Sequence, residues 1–388
     1  MPLTALRQAR IAASVYFFIA GFCFASWTSR IPHIQQQLHL NDAQLGSILF
    51  LLPLGSILFL PVCSWLVAKY GSRNIMLAGS FIYSFLLCGI GAVQQAWQLP
   101  VVLLLFGMAG NMMNIASNTQ GVNVEKMYGR FIMASFHGVW SIACFSGVGV
   151  GSLMMWLNVS PLIHFMAAAV LLVCTASYMY KYSLAADEKR QTQKKFFTLP
   201  DAPLLKLGVI LFCNMCCEAC MFNWSGIYFR DIVHAPKETI NTGFLCFWIT
   251  MAAGRLIGDR IAAQIGVRAL LRNSCLLIVL GFIISIVFPN MIISSVGFMM
   301  IGFGVSPVVP MLYGLAGKSK TMPSSVAIAS VSIIGFPGLM ISPPLVGFIG
   351  HNLNLQWSFA LMAAFGLCAS LFAGMIRDEN VMIKNTAD

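Results

Sequence analysis

Charged side chains are scarce in this sequence. Asp, Glu, Lys and Arg together make up 9% of its 388 residues, whereas a soluble domain carries about 25%. A surface that faces water cannot be built from this composition, which excludes a soluble enzyme, a secreted disulfide scaffold and a disordered protein. Hydrophobic residues make up 59% of the chain, and its mean hydropathy is +0.82. The composition is that of an integral membrane protein.

The alternation of apolar and polar residues that marks a membrane β-barrel is also missing. The chain instead contains twelve mainly apolar runs, each close to the ~20 residues that a helix needs to cross a bilayer. The eighth run covers residues 240–262. Proline interrupts helices, and four prolines predict breaks in the tenth and eleventh runs: Pro310, Pro337, Pro343 and Pro344. We therefore expect an all-α, multi-pass membrane protein with twelve transmembrane helices.

Acidic residues are the scarcer of the two charges, with 12 against 23 basic residues and a net charge of +11. Basic proteins often bind nucleic acid, but in a membrane protein Lys and Arg are enriched in the cytoplasmic loops. If both termini are cytoplasmic, only Arg30, Arg230 and Lys237 face outward, and the other 20 basic residues face inward. The charge distribution therefore predicts cytoplasmic termini and no nucleic-acid partner.

A polar and basic stretch divides the predicted helices into two sets of six. We predict an N-terminal six-helix bundle over residues 1–183, a cytoplasmic linker over 184–206 and a C-terminal six-helix bundle over 207–388. The basic linker would be attracted to anionic lipid headgroups. An offset of roughly 195 residues aligns Gly71 with Gly266 and Gly107 with Gly302. Two parallel repeats are typical of transporters, which bind substrate between the halves near the bilayer midplane.

Four stretches carry a resemblance to a known family: residues 25–32, 114–120, 218–224 and 254–260. On these stretches the chain resembles the major facilitator superfamily along its whole length, and within it the fucose-permease-like bacterial permeases. The resemblance implies the major facilitator fold, a small-molecule substrate, a monomer in the bacterial inner membrane, and no enzymatic activity. Residues 68–73 lack the acid of the superfamily's inner-loop signature, whereas Asp259 and Arg260 keep the acid and base in the second half.

Glu218 is the only acidic residue near the middle of a predicted span. A charge at the bilayer centre costs at least ~2.5 kcal/mol on insertion scales, so it normally faces a cavity and has a function. Glu218 is therefore our candidate proton carrier, and the alternative is a neutral carboxylic acid that bonds across helices. His137 could share the proton, although a single histidine is more often a hydrogen-bonded packing residue.

Amide, hydroxyl and aromatic side chains form the candidate substrate site. Three amides share one face of the fourth helix by their spacing, and further candidates lie in the fifth and seventh helices: Asn111, Asn114, Asn118, Trp140, Ser141, Asn214, Asn223 and Trp224. Related permeases often have aspartate at positions 114 and 223, and the amides here cannot carry protons. Either Glu218 couples transport alone, or the protein is a uniporter or facilitated carrier. The amides could instead bond between helices, and Trp27 and Tyr228 fit anchors at the membrane interface.

Arg255 and Asp259 are four residues apart, which predicts an ion pair on one helical face. We assign them, with Arg260, to a cytoplasmic latch that breaks when the carrier opens inward. Arg30 lies near the outer end of the first helix, and the simplest account of it is that it extends to the lipid headgroups.

Four cysteines form a CxxCCxxC run in the seventh helix: Cys213, Cys216, Cys217 and Cys220. Thiolates bind soft metals, but a straight helix spreads these four sulfur atoms over ~10 Å of its axis. Buried free cysteines also act as small hydrophobic residues. We therefore predict no metal and no cofactor.

No phosphate-binding loop, HExxH motif or nucleophile elbow occurs in the sequence, so pump ATPases and intramembrane hydrolases have no support. The sequence favours a secondary active transporter that moves a small polar solute, sugar-like or a related metabolite, by alternating access with proton coupling. The first alternative is a proton-driven exporter of drug-like or amphipathic compounds. The second is a receptor or scaffold that does not transport.

Overall fold

The computed structural model describes residues 3–129, 132–185, 201–319 and 321–376, and within these ranges it contains sixteen helices and no strand. Residues 186–200 of the predicted linker lie outside the described residues. The helices are α1 (Leu3–Ser29), α2 (Ile31–Gln37), α3 (Asp42–Leu49), α4 (Leu51–Tyr70), α5 (Ser72–Gly91), α6 (Gln98–Tyr128), α7 (Met133–Trp156), α8 (Pro161–Tyr180), α9 (Ala202–Asp231), α10 (Thr242–Ile265), α11 (Val267–Val287), α12 (Met291–Val305), α13 (Val308–Ala316), α14 (Ser324–Gly335), α15 (Pro337–Asn352) and α16 (Leu355–Gly374).

Eleven helical segments of the described chain are long and apolar enough to cross a membrane. Large apolar side chains lie on their outer surface, including Phe85 and Ile292, which are 74% and 75% exposed. Such an apolar surface suits contact with lipid. The helices also satisfy their own backbone hydrogen bonds, as the interior of a bilayer requires. The eighth predicted span coincides with α10, a helix of 24 residues that contains Arg255, Asp259 and Arg260 and is not one of the eleven.

Three of the eleven segments each consist of two helices with a break between them. One segment consists of α3 and α4, a second of α12 and α13, and a third of α14 and α15. Pro337 begins α15. Proline is favoured at the first position of a helix, where its missing N–H would have no partner in the helix. The break in the tenth predicted span lies at Ser306 and Pro307, in the turn before Pro310. Proline has no N–H to donate to the carbonyl four residues earlier, here that of Ser306, so the predicted interruption by Pro310 is confirmed.

Polar residues define several helix starts. Asn41 and Gln44 form a reciprocal capping box at the start of α3, which satisfies two backbone N–H groups that the helix itself leaves unpaired. Asp201 caps α9 by accepting a hydrogen bond from the Leu204 backbone N–H at 3.0 Å. These caps fix where the long apolar helices begin, and therefore which residues face each other further along.

Glycine lets some helices approach to backbone contact. A β-carbon on Gly107 of α6 would lie 1.9 Å from the Leu52 carbonyl oxygen, and one on Gly55 of α4 would lie 2.1 Å from that of Leu104. Small residues at such crossings are the main packing device of membrane helices. In the same way α1 lies against α7, where a β-carbon on Gly21 would be 2.6 Å from the Trp140 carbonyl oxygen.

Helices α1–α8 meet helices α9–α16 closely at the end of the molecule that contains Arg230. We call this the Arg230 end, and the opposite end, where α1 begins, the terminal end. At the Arg230 end the Arg230 guanidinium donates to the Pro32 carbonyl at 3.0 Å and to Gln35 Oε1 at 2.8 Å. Asn241 donates to the Ser29 carbonyl at 3.1 Å, and Lys237 donates to Asn158 Oδ1 at 2.8 Å. The Arg230 end is therefore closed.

Candidate functional site

Glu218 lies in the middle of α9, which packs against α14, α15 and α16 and also contacts α10. The residue is 6% exposed. Its Oε1 atom lies 3.8 Å from Arg255 Nη2, and its Oε2 atom is buried without a hydrogen-bond partner in the described chain. The acid that the sequence singled out is therefore buried, with one loose ion pair as its contact.

Arg255 reaches Glu218 from α10 and also contacts α7. Its Nη1 donates to Ser141 Oγ at 2.7 Å, and its guanidinium carbon lies 5.8 Å from the centroid of the Trp140 ring. Ser141 Oγ in turn donates to the His137 carbonyl at 3.0 Å. The guanidinium thus connects the first eight helices to the last eight at the depth of Glu218.

The predicted ion pair between Arg255 and Asp259 is wrong. No ion pair joins these two residues in the described chain, and Asp259 and Arg260 are exposed. Residues four apart on a helix can pair, but the buried carboxylate of α9 attracts the guanidinium more strongly than an exposed one, because water screens charges less in the interior. Arg255 therefore belongs to the central site, while the gating role of Asp259 and Arg260 stays a prediction.

Four rings form a layer on the Arg230 side of this ion pair, which we call the aromatic layer: Phe24, Trp140, Phe222 and Trp248. Phe222 and Trp248 stack with centroids 5.0 Å apart and planes at 5°. Trp140 meets Trp248 edge to face at 5.5 Å. The rings come from α1, α7, α9 and α10, so the layer closes the space between the two groups of helices.

Sequence reasoning found only Trp140 of this layer. Two signals were available: Phe222 is one turn from Glu218 on α9, and Trp248 is two turns from Arg255 on α10. Residues with these spacings share a helical face. Spacing relative to the charged pair could therefore have found both rings, whereas Phe24 of α1 has no such relation.

Two of the predicted amides lie buried with unused hydrogen-bonding atoms. Asn214 is one turn before Glu218 on α9, and both its Nδ2 and its Oδ1 are buried without a partner in the described chain. The Nδ2 atom of Asn111 is also buried without a hydrogen-bond partner in the described chain. Because buried polar groups are rarely left unpaired, these atoms are candidates for contact with a solute.

The other predicted polar residues are already occupied or lie elsewhere. Asn118 Nδ2 donates to the Asn114 carbonyl at 2.8 Å and also contacts its side-chain oxygen. Asn223 Nδ2 donates to the Ala219 carbonyl of its own helix at 2.8 Å. His137 is exposed and meets the Phe17 ring at 5.4 Å, and no contact between His137 and Glu218 is seen in the described chain.

Three residues expected at the membrane interface are buried instead. Arg30, Trp27 and Tyr228 are each 0% exposed, so the prediction that Arg30 extends to the headgroups and the two rings anchor the chain there was wrong. Arg30 Nε donates to His164 Nδ1 at 3.3 Å, and Nη2 donates to the Val159 carbonyl at 3.0 Å. Burial lowers the pKa of Arg30 to about 10, so it stays charged at neutral pH.

Two further sets of α9 residues lie away from the ion pair. Trp224 is 0% exposed and faces α15, where a β-carbon on Gly347 would lie 3.1 Å from its ring. The four cysteines of α9 are buried, and Cys217 Sγ donates to the Met362 carbonyl of α16 at 3.4 Å. These residues contribute to packing within the last eight helices.

The comparisons with known proteins agree with this architecture. The model of the Major Facilitator Superfamily matches residues 12–336. An uncharacterized MFS-type transporter of Yersinia pestis is 32% identical over 354 residues, which cover 91% of this chain and 92% of the relative. The membrane protein MosC of Rhizobium meliloti is 27% identical, with 93% of this chain and 89% of MosC covered.

Two solved structures share the fold. A mutant of the nucleoside transporter NupG has a TM-score of 0.79 at 14% identity, covering 95% of this chain and 100% of that chain. A bacterial homolog of the human lysosomal transporter Spinster has a TM-score of 0.74 at 12% identity, covering 97% of both chains. The helical fold, the apolar spans and the matched family model lead to one conclusion: this chain belongs to the major facilitator superfamily, a family of membrane transporters and not of enzymes.

Proposed function

We propose that this protein is a proton-coupled secondary transporter that moves a small polar solute by alternating access. It would cross the bacterial inner membrane twelve times, with α10 as the eighth span in addition to the eleven long apolar segments, and both termini would be cytoplasmic. One chain, surrounded by lipid, would be the working unit. Residues 1–183 and 207–388 would form two six-helix bundles joined by the linker.

The observation that carries the proposal is the buried carboxyl group of Glu218 between the two groups of helices. Ionisable residues inside a membrane normally face a transport path. Glu218 has a loose ion pair with Arg255 and no hydrogen bond on Oε2. A carboxyl group held this weakly can take up a proton in one conformation and release it in another.

The closed Arg230 end supports the alternating-access part of the proposal. In the described chain, the side-chain hydrogen bonds between α1–α8 and α9–α16 lie at the Arg230 end, apart from the bond of Arg255 to Ser141. Toward the terminal end, Asn114, His137 and Asp259 are exposed. This pattern fits a carrier that is closed to the outside and open to the cytoplasm.

The aromatic layer supports a solute that contains a ring. Aromatic side chains stack on flat rings and on the apolar faces of sugars, and the unpaired amide atoms of Asn214 and Asn111 can bond to hydroxyl groups. NupG, which has the same fold, is by its name a nucleoside transporter. A sugar-like or nucleoside-like metabolite combines both features.

The same aromatic layer also favours the second candidate, an exporter of drug-like or amphipathic compounds. Flat apolar molecules would stack on the rings without using the amides. The two candidates differ in which ligands bind and in which direction a proton gradient drives them.

A ligand screen followed by transport tests both candidates. The purified full-length protein is heated with sugars, sugar acids, nucleosides, amino acids and antibiotics, because a ligand of the native state raises the melting temperature. Each ligand found is then followed into proteoliposomes with and without a pH gradient. We expect a polar metabolite that accumulates when the outside is more acidic. Uptake that ignores the gradient would contradict proton coupling, and binding restricted to antibiotics would favour the exporter.

A further inference from the structure

We infer that Arg255 binds an anionic group on the transported solute, and that the solute and Glu218 compete for this one guanidinium. The inference rests on the proposed function, because it names the class of solute that the central site accepts. The substrate would be a ring-bearing monoanion, such as a sugar acid or an aromatic carboxylic acid. When Glu218 binds one proton, it would release Arg255, and the guanidinium would then bind this monoanion.

The first support is the geometry of the ion pair. A hydrogen-bonded guanidinium and carboxylate lie about 2.8 Å apart, whereas Glu218 Oε1 lies 3.8 Å from Arg255 Nη2. A guanidinium has five N–H donors, and in the described chain Arg255 uses one hydrogen bond, from Nη1 to Ser141. Most of its donors are therefore available to a second anion.

The second support is accessibility. The side chain of Arg255 is 21% exposed, against 8% for Glu218. Beyond Arg255 on α10, toward the terminal end, Leu256, Ile257 and Asp259 are exposed. A solute that enters from this open end therefore meets the cation before the acid, which favours an anionic solute over a cationic one.

The third support is the charge balance of the site. Among the described residues, the Arg255 guanidinium has Glu218 as its ionic partner and one hydrogen bond, to Ser141. Loss of the only counter-ion of a largely buried cation is destabilising, so protonation of Glu218 would leave Arg255 in need of an anion. Ionised Glu218 would neutralise Arg255 and repel an anionic solute. The other titratable groups that face the pair in the described chain are His137 and Cys144 of α7. Proton and monoanion would therefore occupy the site together and leave it together.

The aromatic layer is the reason to expect that the anionic solute contains a ring. Trp140 lies beside the Arg255 guanidinium and belongs to the layer through its contacts with Phe24 and Trp248. An acid whose carboxylate contacts Arg255 therefore places its ring against these side chains. A carboxylate is matched by the fork of a guanidinium better than by a point charge.

Matched pairs of neutral and acidic compounds test the inference by binding. The probes are D-glucose with D-glucuronate, D-galactose with D-galacturonate, and 4-hydroxybenzyl alcohol with 4-hydroxybenzoate, titrated into the purified full-length protein by thermal shift at pH 5.5 and 8. We expect the acid of at least one pair to bind at least about tenfold more tightly than its neutral partner, a clear difference in affinity. Its binding should be tighter at pH 5.5 than at pH 8.

Variants of Arg255 and Glu218 test where the anionic group binds. Arg255→Gln should lose the acid's binding and Arg255→Lys should weaken it, whereas Arg272→Gln, at an exposed arginine of α11, should bind like the wild type. Glu218→Gln should bind the acid equally at both pH values. The double variant Arg255→Gln/Glu218→Gln leaves no lone buried charge to impair folding, and it should not distinguish the acid from its neutral partner.

Transport current separates this inference from the proposed function. A monoanion that moves with one proton carries no net charge, whereas a neutral solute that moves with one proton produces a current across a supported membrane. The inference is overturned if neutral members bind as well as acids, if Arg255→Gln keeps the acid's affinity, or if no acid in the panel binds. A neutral solute that is accumulated by a pH gradient and produces current would overturn it while leaving proton-coupled transport intact.

Discussion

A buried cation at the Arg230 end, Arg30, affects the protonation of a neighbouring histidine. Arg30 is held by a histidine nitrogen and a backbone carbonyl, and no carboxylate pairs with it in the described chain. His33 lies one turn further on, in α2. Its burial, and then the charges of Arg30 and Lys237, lower the pKa of His33.

A lowered pKa of His33 predicts loss of stability in acid. The unfolded chain takes up a proton on His33 near pH 6.5, whereas the folded chain resists it until a lower pH. The contribution is therefore fully present above about pH 6.5 and decreases as the pH falls toward the folded-state pKa. Melting temperatures of the purified protein between pH 8 and pH 5 should fall less for His33→Gln than for the wild type. Parallel curves for the two proteins would contradict this.

At the residue scale, sequence reasoning identified the buried acid but not its partners. Glu218 stood out because acids are scarce, and the structure shows it to be buried. Arg255 was paired with Asp259 because spacing along one helix is the only distance that a sequence supplies. The actual partners, Glu218 and Ser141, come from α9 and α7, and tertiary packing alone brings them together. Arg30 was misplaced for the same reason.

The crossing of α4 and α6 is the clearest test of packing at the element scale. Gly107→Ala would place a methyl group 1.9 Å from the Leu52 carbonyl oxygen, so the two helices would have to separate. Overpacking of this kind typically costs about 1–3 kcal/mol. We expect a lower melting temperature of the protein in detergent.

Gly314→Ala is the matched control for this change. No atom lies within 4 Å of a β-carbon at Gly314, which is inside α13. Replacement of a helical glycine by alanine gains about 0.5–1 kcal/mol, so the melting temperature should stay equal or rise. If the Gly107→Ala protein were as stable as the Gly314→Ala protein, this would contradict the close approach of α4 and α6 at Gly107.

Helices were the most predictable elements, because an apolar run of about 20 residues has few other structures available in a membrane. The breaks were less predictable. Pro337 begins α15 as expected, but Pro343 and Pro344 lie inside that helix. A proline in a membrane helix is tolerated when neighbouring groups satisfy the freed carbonyl, and the sequence does not show which prolines have such neighbours.

At the scale of the whole molecule, the hydrogen bonds of Arg230 hold the closed end together. Its guanidinium connects α9 to Pro32 and Gln35 of α2, and Gln35 Nε2 also donates to Asp42 Oδ1 at 2.7 Å. Hydrogen bonds to charged groups contribute about 1.5–3 kcal/mol each. Arg230→Ala should therefore favour the conformation that is open at this end.

Hydrogen–deuterium exchange can detect this opening. Amides of α2 should exchange at least about tenfold faster in Arg230→Ala than in the wild type, the factor that 1.4 kcal/mol gives. Exchange in Arg272→Ala, at an exposed residue of α11, should match the wild type. Equal protection of α2 in all three proteins would show that Arg230 does not hold the closed end.

The central claim is that Glu218 couples solute movement to the proton gradient, and one comparison tests it most directly. A ligand found in the screen is followed into proteoliposomes that contain wild-type protein or Glu218→Gln, once under a pH gradient and once by exchange with unlabelled ligand inside. Exchange needs the solute site and alternating access but no net proton movement. We predict that Glu218→Gln keeps the exchange and loses accumulation driven by the gradient. Gradient-driven accumulation at the wild-type level in Glu218→Gln would contradict the account.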